Sequence, residues 1–245
     1  MKIIDVSYHN GTIDWQKVKA DGVDGAIIRA GYGKGNVDSM FRKNIERAII
    51  AGIEYIGVYW FGYAYSVEIA KFEAEFCHNT IKHYQDKLNL GVYYDWEYDS
   101  MKYALSNHVN PTKVLISDMH VAFLGRIAEL GYHAGFYTNL DYQNNYIQVN
   151  RLKKYRKWFA RYTSKEQNDC YIWQYTEKGH IDGIYGNVDI NKLQGKIELK
   201  SNEQIAYEVI QGKWGNGEER KKRLTDAGYS YSTIQALVNS ILNKK

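Results

Sequence analysis

The sequence contains few cysteines and no long apolar segment. Its two cysteines, Cys77 and Cys170, lie far apart and form no CxxC or Cys/His pattern. We therefore predict two reduced structural thiols rather than a disulfide framework or a zinc site. No run approaches the roughly 18 apolar residues of a membrane span. The sequence thus argues against a disulfide-rich domain and against a membrane partner.

Motifs for bound cofactors and for secretion are also missing. The seven histidines form no HExxH pair, and GYGKGN (31–36) has the spacing of neither a dinucleotide-binding loop nor a phosphate loop. We therefore predict no metal and no cofactor, and a flexible strand-to-helix loop at 31–36. The start MKIIDVSYHNG is too short for the apolar region of a signal peptide. Synthesis in the cytoplasm is expected, with retention there unless another factor releases the protein.

Aromatic residues are abundant, since 23 tyrosines and 6 tryptophans exceed what a core alone needs. Such flat amphipathic rings suit surfaces that stack on sugars or bases. The formal net charge of +4 favours anionic surroundings in general. The basic run EERKKR (218–223) has no aromatic residues interleaved with it, so it indicates a solvated helix face and no nucleic-acid partner.

Short apolar runs alternate with longer amphipathic stretches over the first 195 residues. The segments 25–31, 55–64, 90–97, 133–139, 157–162 and 170–175 are predicted as strands, and 39–52, 66–84 and 110–131 as helices. The last helix has Asn110 as its expected N-cap, Pro111 at its first position and Gly131 just past its end. This strand-helix-strand repetition predicts an α/β fold with parallel strands, and the number of units favours an irregular (β/α) barrel.

The composition changes near residues 195–204, after which no strand pattern occurs. Three short helices are predicted at about 203–211, 216–227 and 230–242, with breaks at Gly212, Gly215, Gly217 and Gly228. Such a segment of about forty residues is marginal as a stable unit. We therefore predict a large domain at 1–195, a linker at 196–202 and a small helical module at 203–245.

Acidic side chains follow several of the apolar runs. In GVYYDWEYDS (91–100), Asp95 and Glu97 are two residues apart and therefore project from one face of a strand end. In a barrel the C-terminal strand ends share one rim, where Asp5 and Asp189 would join them. Two carboxyls in a partly apolar site acquire different pKa values, which suits the acid and base of a glycosidase. For any single acid, a solvated strand end is the alternative.

Several segments together resemble glycoside hydrolase family 25, the lysozymes common in phage lysins. They are IDVSYHNGTIDW (4–15), AIIRAGYG (26–33), AGIEYIGVYWFGYA (51–64), YYDWE (93–97), GYHAGFYTN (131–139), WFARY (158–162), IWQY (172–175) and GIYGNVDIN (183–191). The resemblance implies an irregular barrel that cleaves the β-1,4 bond between N-acetylmuramic acid and N-acetylglucosamine in peptidoglycan. It also implies a phage endolysin that is made in the host cytoplasm and acts on the bacterial cell wall after release.

The same resemblance assigns roles to the acids. Glu97 is the expected general acid, and Asp95 is expected to stabilise developing positive charge or to orient the substrate's N-acetyl group as an internal nucleophile. Asp5 and Asp189 are expected to hold the hydrogen bonds and electrostatics of the site, with Asp189 positioning Asp95. Gly62 stands where the family usually has serine, which affects at most a local hydrogen bond.

Aromatic and polar residues near the strand ends form an expected sugar groove. Tyr59, Phe61 and Tyr63 alternate along one strand and so share a face. Core packing is an equal alternative for most of the groove residues, but the resemblance favours binding for three of them, Tyr63, Trp158 and Gln174. The remaining groove candidates are Arg29, Tyr32 and Tyr162.

The segment at 206–239 resembles a short cell-wall-binding repeat that ends some phage lysins. The implied role is to hold the enzyme on its polymer, which raises the local substrate concentration. Trp214, Arg223 and Tyr229 are candidate contacts with a muropeptide. A core position is the alternative for a lone tryptophan in so small a module.

Three functions are compatible with these patterns. The first is a peptidoglycan muramidase, the second is a non-catalytic wall-binding lectin on the same barrel, and the third is a glycosidase of chitin or another N-acetylated glycan. The presence of both Asp95 and Glu97 favours an enzyme over a lectin. The chemical nature of the released reducing ends distinguishes the first function from the third.

Overall fold

The computed structural model describes residues 1–197, 201–227 and 229–243. The chain divides into two compact units, Met1–Ile197 and Glu198–Lys245. Three parts of the predicted organisation lie outside the described residues: 198–200 of the linker, the break at Gly228 and the last two residues of the module. None of the described helices is long and apolar enough to cross a membrane.

The first unit contains one nine-stranded sheet. Its strands are β1 Lys2–Val6, β2 Gly25–Tyr32, β3 Asn36–Val37, β4 Tyr55–Phe61, β5 Gly91–Asp95, β6 Ala134–Asn139, β7 Arg156–Ala160, β8 Ile172–Gly179 and β9 Val188–Leu193. All but β3 close into a barrel, because β1 pairs with both β2 and β9. The short β3 forms a hairpin with β2 outside the ring. The predicted irregular α/β barrel is therefore confirmed.

The barrel is parallel except at β9. Each pairing from β1 through β2 and β4 to β8 is parallel, whereas β9 runs antiparallel to both β8 and β1. The sequence analysis predicts no strand at 188–193. Because β9 runs in reverse, its first residues, and not its last, reach the rim formed by the C-terminal ends of the parallel strands.

Five α-helices pack around this sheet in the first unit. They are α1 Trp15–Ala20, α2 Phe41–Ile50, α3 Val67–Ile81, α4 Tyr98–Ser106 and α5 Lys113–Glu129. Short 3-10 turns occupy Tyr8–Asn10, Lys82–Lys87 and Val149–Leu152, and a π-helical turn occupies Tyr142–Tyr146. The helices predicted at 39–52, 66–84 and 110–131 correspond to α2, α3 and α5, whereas α1 and α4 were not predicted.

The start of α5 differs from the prediction. Its N-cap is Thr112, whose side chain accepts a hydrogen bond from the Leu115 N–H, so the assignment of Asn110 as the cap is wrong. Pro111 consequently precedes the cap and does not occupy the first helical position. The predicted stop is found, since Gly131 follows the helix with a φ of +88° that glycine adopts without strain.

Side chains of the strands form two apolar layers, because successive residues point to opposite faces. In β5, Val92 and Tyr94 belong to the layer between strands and helices, and Tyr93 belongs to the barrel interior. Asp95 follows two residues after Tyr93 and therefore also faces inward. The inner layer consists of Ile3, Ile27, Tyr59, Leu90, Tyr93, Trp158 and Ile172.

The second unit contains the three helices predicted for it, α6 Asn202–Ile210, α7 Gly217–Asp226 and α8 Tyr231–Leu242. Ser201 and Ser230 cap α6 and α8 through hydrogen bonds from backbone N–H groups three residues on. The helices enclose a small core of Ile205, Ala206, Val209, Leu224, Ile234 and Val238.

Candidate active site

The four predicted acids meet at one end of the barrel. Asp95 is the last residue of β5, and Glu97 follows it as the N-cap of α4. Asp5 lies near the end of β1 and is directly opposite Asp189 in the β1–β9 register. The reversed direction of β9 thus brings residue 189, which is distant in sequence, beside residue 5.

Asp95 and Glu97 are hydrogen-bonded to each other through their carboxyl groups. Asp95 is only 6% exposed, and burial, followed by the Glu97 charge, raises its pKa well above the usual range. Burial also raises the pKa of Glu97 to about 7, although the hydrogen bond from Asp95 lowers it. The pair therefore retains at least one proton at neutral pH, as general acid catalysis requires.

One oxygen of this pair receives no hydrogen bond from an amide or hydroxyl group in the described part of the chain. Asp95 Oδ1 is buried and accepts no hydrogen bond from any described residue. A buried acceptor without a donor costs free energy, so such an atom at a site is commonly satisfied by water or by a ligand.

Asp5 is held by two amide side chains. Its Oδ2 accepts hydrogen bonds from Gln174 Nε2 at 2.9 Å and from Asn191 Nδ2 at 2.8 Å. Gln174 Oε1 in turn accepts hydrogen bonds from the hydroxyls of Tyr137 and Tyr162, at 2.9 and 3.1 Å. Burial and the nearby Asp189 raise the pKa of Asp5, while the two amides lower it. Gln174, predicted as a sugar contact, is 3% exposed and orients Asp5 through its hydrogen bond.

Asp189 is partly buried, and burial followed by the charge of Glu177 raises its pKa to about 6. Its charge helps to raise the pKa values of both Asp5 and Glu97. The β1–β9 register places Asp189 opposite Asp5, and the role of Asp189 in positioning Asp95 stays a prediction. Among the described residues, no group of three or more His, Cys, Asp or Glu side chains is arranged to hold a metal ion.

Arg29 supplies a fixed positive charge near the acids. Its Nε donates to Asp38 Oδ2 at 2.7 Å, and its guanidinium lies over the rings of Tyr8 and Tyr32 at 4.8 and 5.6 Å. This charge lowers the pKa of Asp95 and so opposes the effect of burial. Arg29 was predicted to bind substrate, and its buried Nη2 donates to no described residue.

Partly exposed rings extend the site on the side of β2 and β4. Tyr63 follows β4, and its ring centroid lies 5.2 Å from that of Phe61 and 6.3 Å from that of Tyr32. Tyr103 of α4, which was not predicted, packs on Tyr63 at 5.0 Å. Tyr162, which follows β7, is 52% exposed. These rings have free edges or faces suitable for sugar rings.

Tyr59 and Trp158 lie below the acids inside the barrel. They are 9% and 1% exposed and pack edge to face at 5.9 Å. Trp158 Nε1 donates to Asn191 Oδ1 at 2.7 Å, and Asn191 donates to Asp5. Trp158 was predicted to contribute to sugar binding, and its ring is enclosed in the barrel. The indole supports the hydrogen bonds of Asp5 from beneath.

Asn191 and Tyr137 are the polar partners that the sequence analysis missed. A recognisable signal existed for Asn191, which lies two residues after Asp189 and therefore on the same face of β9. That signal requires residues 188–193 to be identified as a strand. For Tyr137 the tyrosine-rich sequence offered no feature that distinguishes it from the core tyrosines.

In the second unit, the three predicted contacts lie close together. The Trp214 ring meets that of Tyr229 edge to face at 6.0 Å, and the Arg223 guanidinium lies 5.8 Å from the Trp214 ring. Trp214 Nε1 donates to Glu208 Oε2 at 3.0 Å. Trp214 is partly buried and packs against the module core, in line with the alternative considered for it.

The raised pKa values predict greater stability in mild acid. Burial raises the pKa of Asp189 to about 6 and that of Glu97 to about 7, above the ordinary carboxyl range near 4. The folded state therefore binds more protons than the unfolded state, and the free energy of unfolding falls as pH rises between about 4 and 7. We expect the Tm to be at least roughly 3 °C higher at pH 5 than at pH 8.

Two variants identify the source of this pH dependence. Asp189→Asn should flatten the dependence of Tm on pH, because it removes one of the titrating groups. Asp86 is exposed and precedes β5, at the end of the strand opposite to Asp95, so Asp86→Asn should leave the dependence of Tm on pH unchanged. A wild-type protein that is as stable at pH 8 as at pH 5 would contradict the assignment of the rim carboxyls.

The chain matches two family models. The model described as glycosyl hydrolases family 25 covers residues 4–184. The model of the CW_7 repeat covers residues 203–242. The first match includes Asp5, Asp95 and Glu97, and the second includes the three helices of the second unit.

Individual proteins are similar over the same region. The lysozyme of Streptococcus phage Cp-7 is 33% identical over 139 residues, which is 49% of this chain and 39% of that protein. Lysozyme M1 of Streptomyces globisporus is 27% identical over 203 residues, 78% of this chain and 67% of that protein. The modular autolysin LytC of Streptococcus pneumoniae, solved in complex with a synthetic peptidoglycan ligand, is 30% identical with a TM-score of 0.66, covering 78% of this chain and 46% of LytC. The chain thus spans about two fifths of the Cp-7 lysozyme and under half of LytC.

Proposed function

The chain belongs to glycosyl hydrolase family 25, and we propose that it is a lysozyme that hydrolyses the glycan strands of bacterial peptidoglycan. The bond cleaved is the β-1,4 bond between N-acetylmuramic acid and N-acetylglucosamine. The observation that carries the proposal is the hydrogen-bonded carboxyl pair of Asp95 and Glu97 at the barrel rim. Similarity to two lysozymes and to an autolysin solved with a peptidoglycan ligand supports this substrate.

Glu97 is the general acid of the proposed reaction. Because burial raises its pKa to about 7, a large fraction of the enzyme carries a proton on Glu97 at and below neutral pH. Glu97 gives this proton to the glycosidic oxygen as the bond to the anomeric carbon breaks. The carboxylate that remains then takes a proton from the water that completes hydrolysis.

Asp95 acts on the substrate's N-acetyl group in this proposal. Carboxyls in hydrogen-bond contact are closer than the roughly 5–5.5 Å that separates an acid from a carboxylate nucleophile in retaining glycosidases. The Asp95 carboxyl is therefore better suited to accept the acetamido N–H than to attack carbon. The acetamido oxygen attacks the anomeric carbon and forms a cyclic oxazolinium ion, which water then opens.

The remaining rim residues hold this arrangement. Gln174 and Asn191 fix Asp5, and Asp189, whose pKa of about 6 leaves it mostly ionised at neutral pH, favours the positive charge that develops on the sugar ring. The exposed edges of Tyr63 and Tyr162 are suited to the neighbouring sugar rings.

The second unit is proposed to hold the enzyme on the wall. The match to the CW_7 repeat and the cluster of Trp214, Arg223 and Tyr229 support a muropeptide contact there. Tethering concentrates the catalytic unit on its polymer without a new contact at the active site. The similarity to a phage lysozyme supports action as an endolysin, which reaches the wall after release from the host cytoplasm.

Product analysis tests the proposed bond specificity. Digestion of purified walls, followed by borohydride reduction and mass analysis, should yield fragments that end in reduced muramic acid. Fragments that end in reduced glucosamine would instead assign the enzyme to the other bond of the strand. Efficient release of sugars from chitin would support the alternative of a glycosidase for another N-acetylated glycan.

A further inference from the structure

Another buried carboxylate lies next to the candidate site but outside the barrel. Glu73 belongs to α3 and is completely buried. Its Oε1 accepts the backbone N–H of Tyr63 at 2.7 Å, and its Oε2 accepts the hydroxyl of Tyr94 at 2.7 Å. The backbone N–H of Ala64 also donates to it. One side chain of a helix thus holds two neighbouring strands.

The backbone that Glu73 holds is the 62–64 segment, which follows β4 and carries Tyr63. This segment is also bonded to the residues around the acid pair. The Gly62 N–H donates to the Asp95 carbonyl at 2.7 Å, and Trp96 Nε1 donates to the Ala64 carbonyl at 2.9 Å. Residues 95 and 96 directly precede Glu97. The 62–64 segment is therefore fixed by Glu73 on one side and by the acid-bearing strand end on the other.

Tyr94 connects Glu73 to β5 through tight packing. Its ring stacks on Phe123 at 4.2 Å and contacts His120 at 5.2 Å. It also fills the space above Gly62, where an added Cβ would lie 2.5 Å from the ring. Tyr94 consequently leaves little room for the 62–64 segment to move, and its hydroxyl is directed to Glu73.

Burying a carboxylate at this location costs desolvation free energy. Burial raises the pKa of Glu73 to about 7, even though the hydrogen bonds from Tyr94, Tyr63 and Ala64 and the charge of Lys34 lower it. A leucine in the same volume would avoid this desolvation. Two acceptor oxygens can satisfy several converging donors, which no apolar residue can do.

We propose that Glu73 is a positioning residue that holds Tyr63 in its orientation beside the Asp95–Glu97 pair. This inference rests on the proposed function for the role of Tyr63, but the contact itself is independent of activity. Glu73 touches no substrate in this proposal and acts through the 62–64 backbone.

Substitution of Glu73 tests the proposal in kinetics on soluble glycan fragments from purified walls. Glu73→Leu should lower kcat/KM by about tenfold or more, mainly through KM, because the tyrosine that lines the groove is no longer fixed. Glu73→Gln should stay within about threefold of wild type, because its oxygen accepts the Tyr63 N–H and its amide donates to the Tyr94 oxygen.

A matched control separates positioning from plain stability. Asn44 is equally buried on α2, where it accepts a hydrogen bond from Trp15 Nε1. Asn44→Leu should lower the Tm while leaving KM unchanged at temperatures well below unfolding. If Glu73→Leu behaves in the same way, with a lower Tm and wild-type KM, the proposal is overturned.

Amide hydrogen exchange gives a readout that does not depend on catalysis. Glu73→Leu should increase deuterium uptake in the 62–64 segment, and Asn44→Leu should not. Wild-type uptake there in Glu73→Leu would also overturn the proposal. If the wild-type protein cleaves no peptidoglycan, the proposed function fails, while the exchange data still decide whether Glu73 holds Tyr63.

A second variant covers the case in which Glu73→Leu does not fold. Glu73→Asp retains the charge but withdraws the carboxyl by about 1.5 Å, the length of one carbon-carbon bond. It should fold, raise KM several-fold and increase uptake in the 62–64 segment. Unchanged KM and uptake in Glu73→Asp would contradict the proposal.

Discussion

Replacing Glu97 with glutamine is expected to slow the clearing of purified cell walls by on the order of 10³-fold, because glutamine cannot give a proton to the glycosidic oxygen. Glutamine keeps the size of the side chain and can still form a hydrogen bond with Asp95. The N-cap of α4 is also preserved, since the Glu97 backbone N–H donates to Ser100 Oγ whichever side chain is present. Turbidity loss of a wall suspension measures the rate.

Two observations establish that this loss is chemical and not structural. The Glu97→Gln protein should sediment with intact walls as the wild type does, and its Tm at pH 8 should be at least that of wild type, because a buried titrating carboxyl has been removed. Glu54→Gln, an exposed position just before β4 at the opposite end of the barrel, is the matched control with wild-type clearing. Clearing by Glu97→Gln at the wild-type rate would refute the enzymatic assignment.

Replacing Asp95 with asparagine is expected to lower kcat by about 10²-fold with a small effect on KM. The substitution is nearly isosteric but removes the carboxyl whose ionised form balances the oxazolinium ion in the transition state. In asparagine, the group that faces the acetamido N–H is either an amide N–H, which cannot accept a hydrogen bond, or an amide oxygen, which is a weaker acceptor than a carboxylate oxygen. Steady-state kinetics on soluble glycan fragments separate kcat from KM.

The configuration of the anomeric carbon in the first product tests the role given to Asp95. Attack by the acetamido oxygen followed by water inverts the anomeric carbon twice, so the first product should retain the β configuration in proton NMR spectra recorded before mutarotation. A product with inverted configuration would rule out the role given to Asp95. Asp86→Asn, with the same chemical change on the far side of β5, should match wild type in both assays.

The sequence allowed prediction of Asp5, Asp95 and Glu97 because they lie at the ends of apolar runs, a local pattern that survives folding. Asp5 and Asp95 are both found near strand ends, facing the barrel interior. Local patterns could not reveal how these acids are held. Gln174 and Asn191 reach Asp5 from about 170 and 190 residues away, and only the closed barrel brings them together.

Two other differences have simple physical causes. The strand at Val188–Leu193 escaped prediction because it is short and follows a glycine-rich loop, and no periodicity reveals whether a strand runs parallel or antiparallel. Trp158 was assigned to the sugar groove because the resemblance to family 25 favoured binding over core packing at this position. Alternation gives the face of a strand but not the depth along it, and Trp158 lies below the acids.

The antiparallel return of β9 also affects when the site at the rim can be completed during synthesis. Asn191 donates to both the Ile3 carbonyl and Asp5, at separations of 188 and 186 positions, so the first strand can pair with β2 early but gains these two hydrogen bonds only after nearly the whole barrel has been made. Contacts of such high order form late, because the chain must close a long loop before they are gained. A nascent chain on the ribosome that has not yet emerged past β9 therefore lacks the support of Asp5, and the rim site is complete only when translation of the barrel is completed.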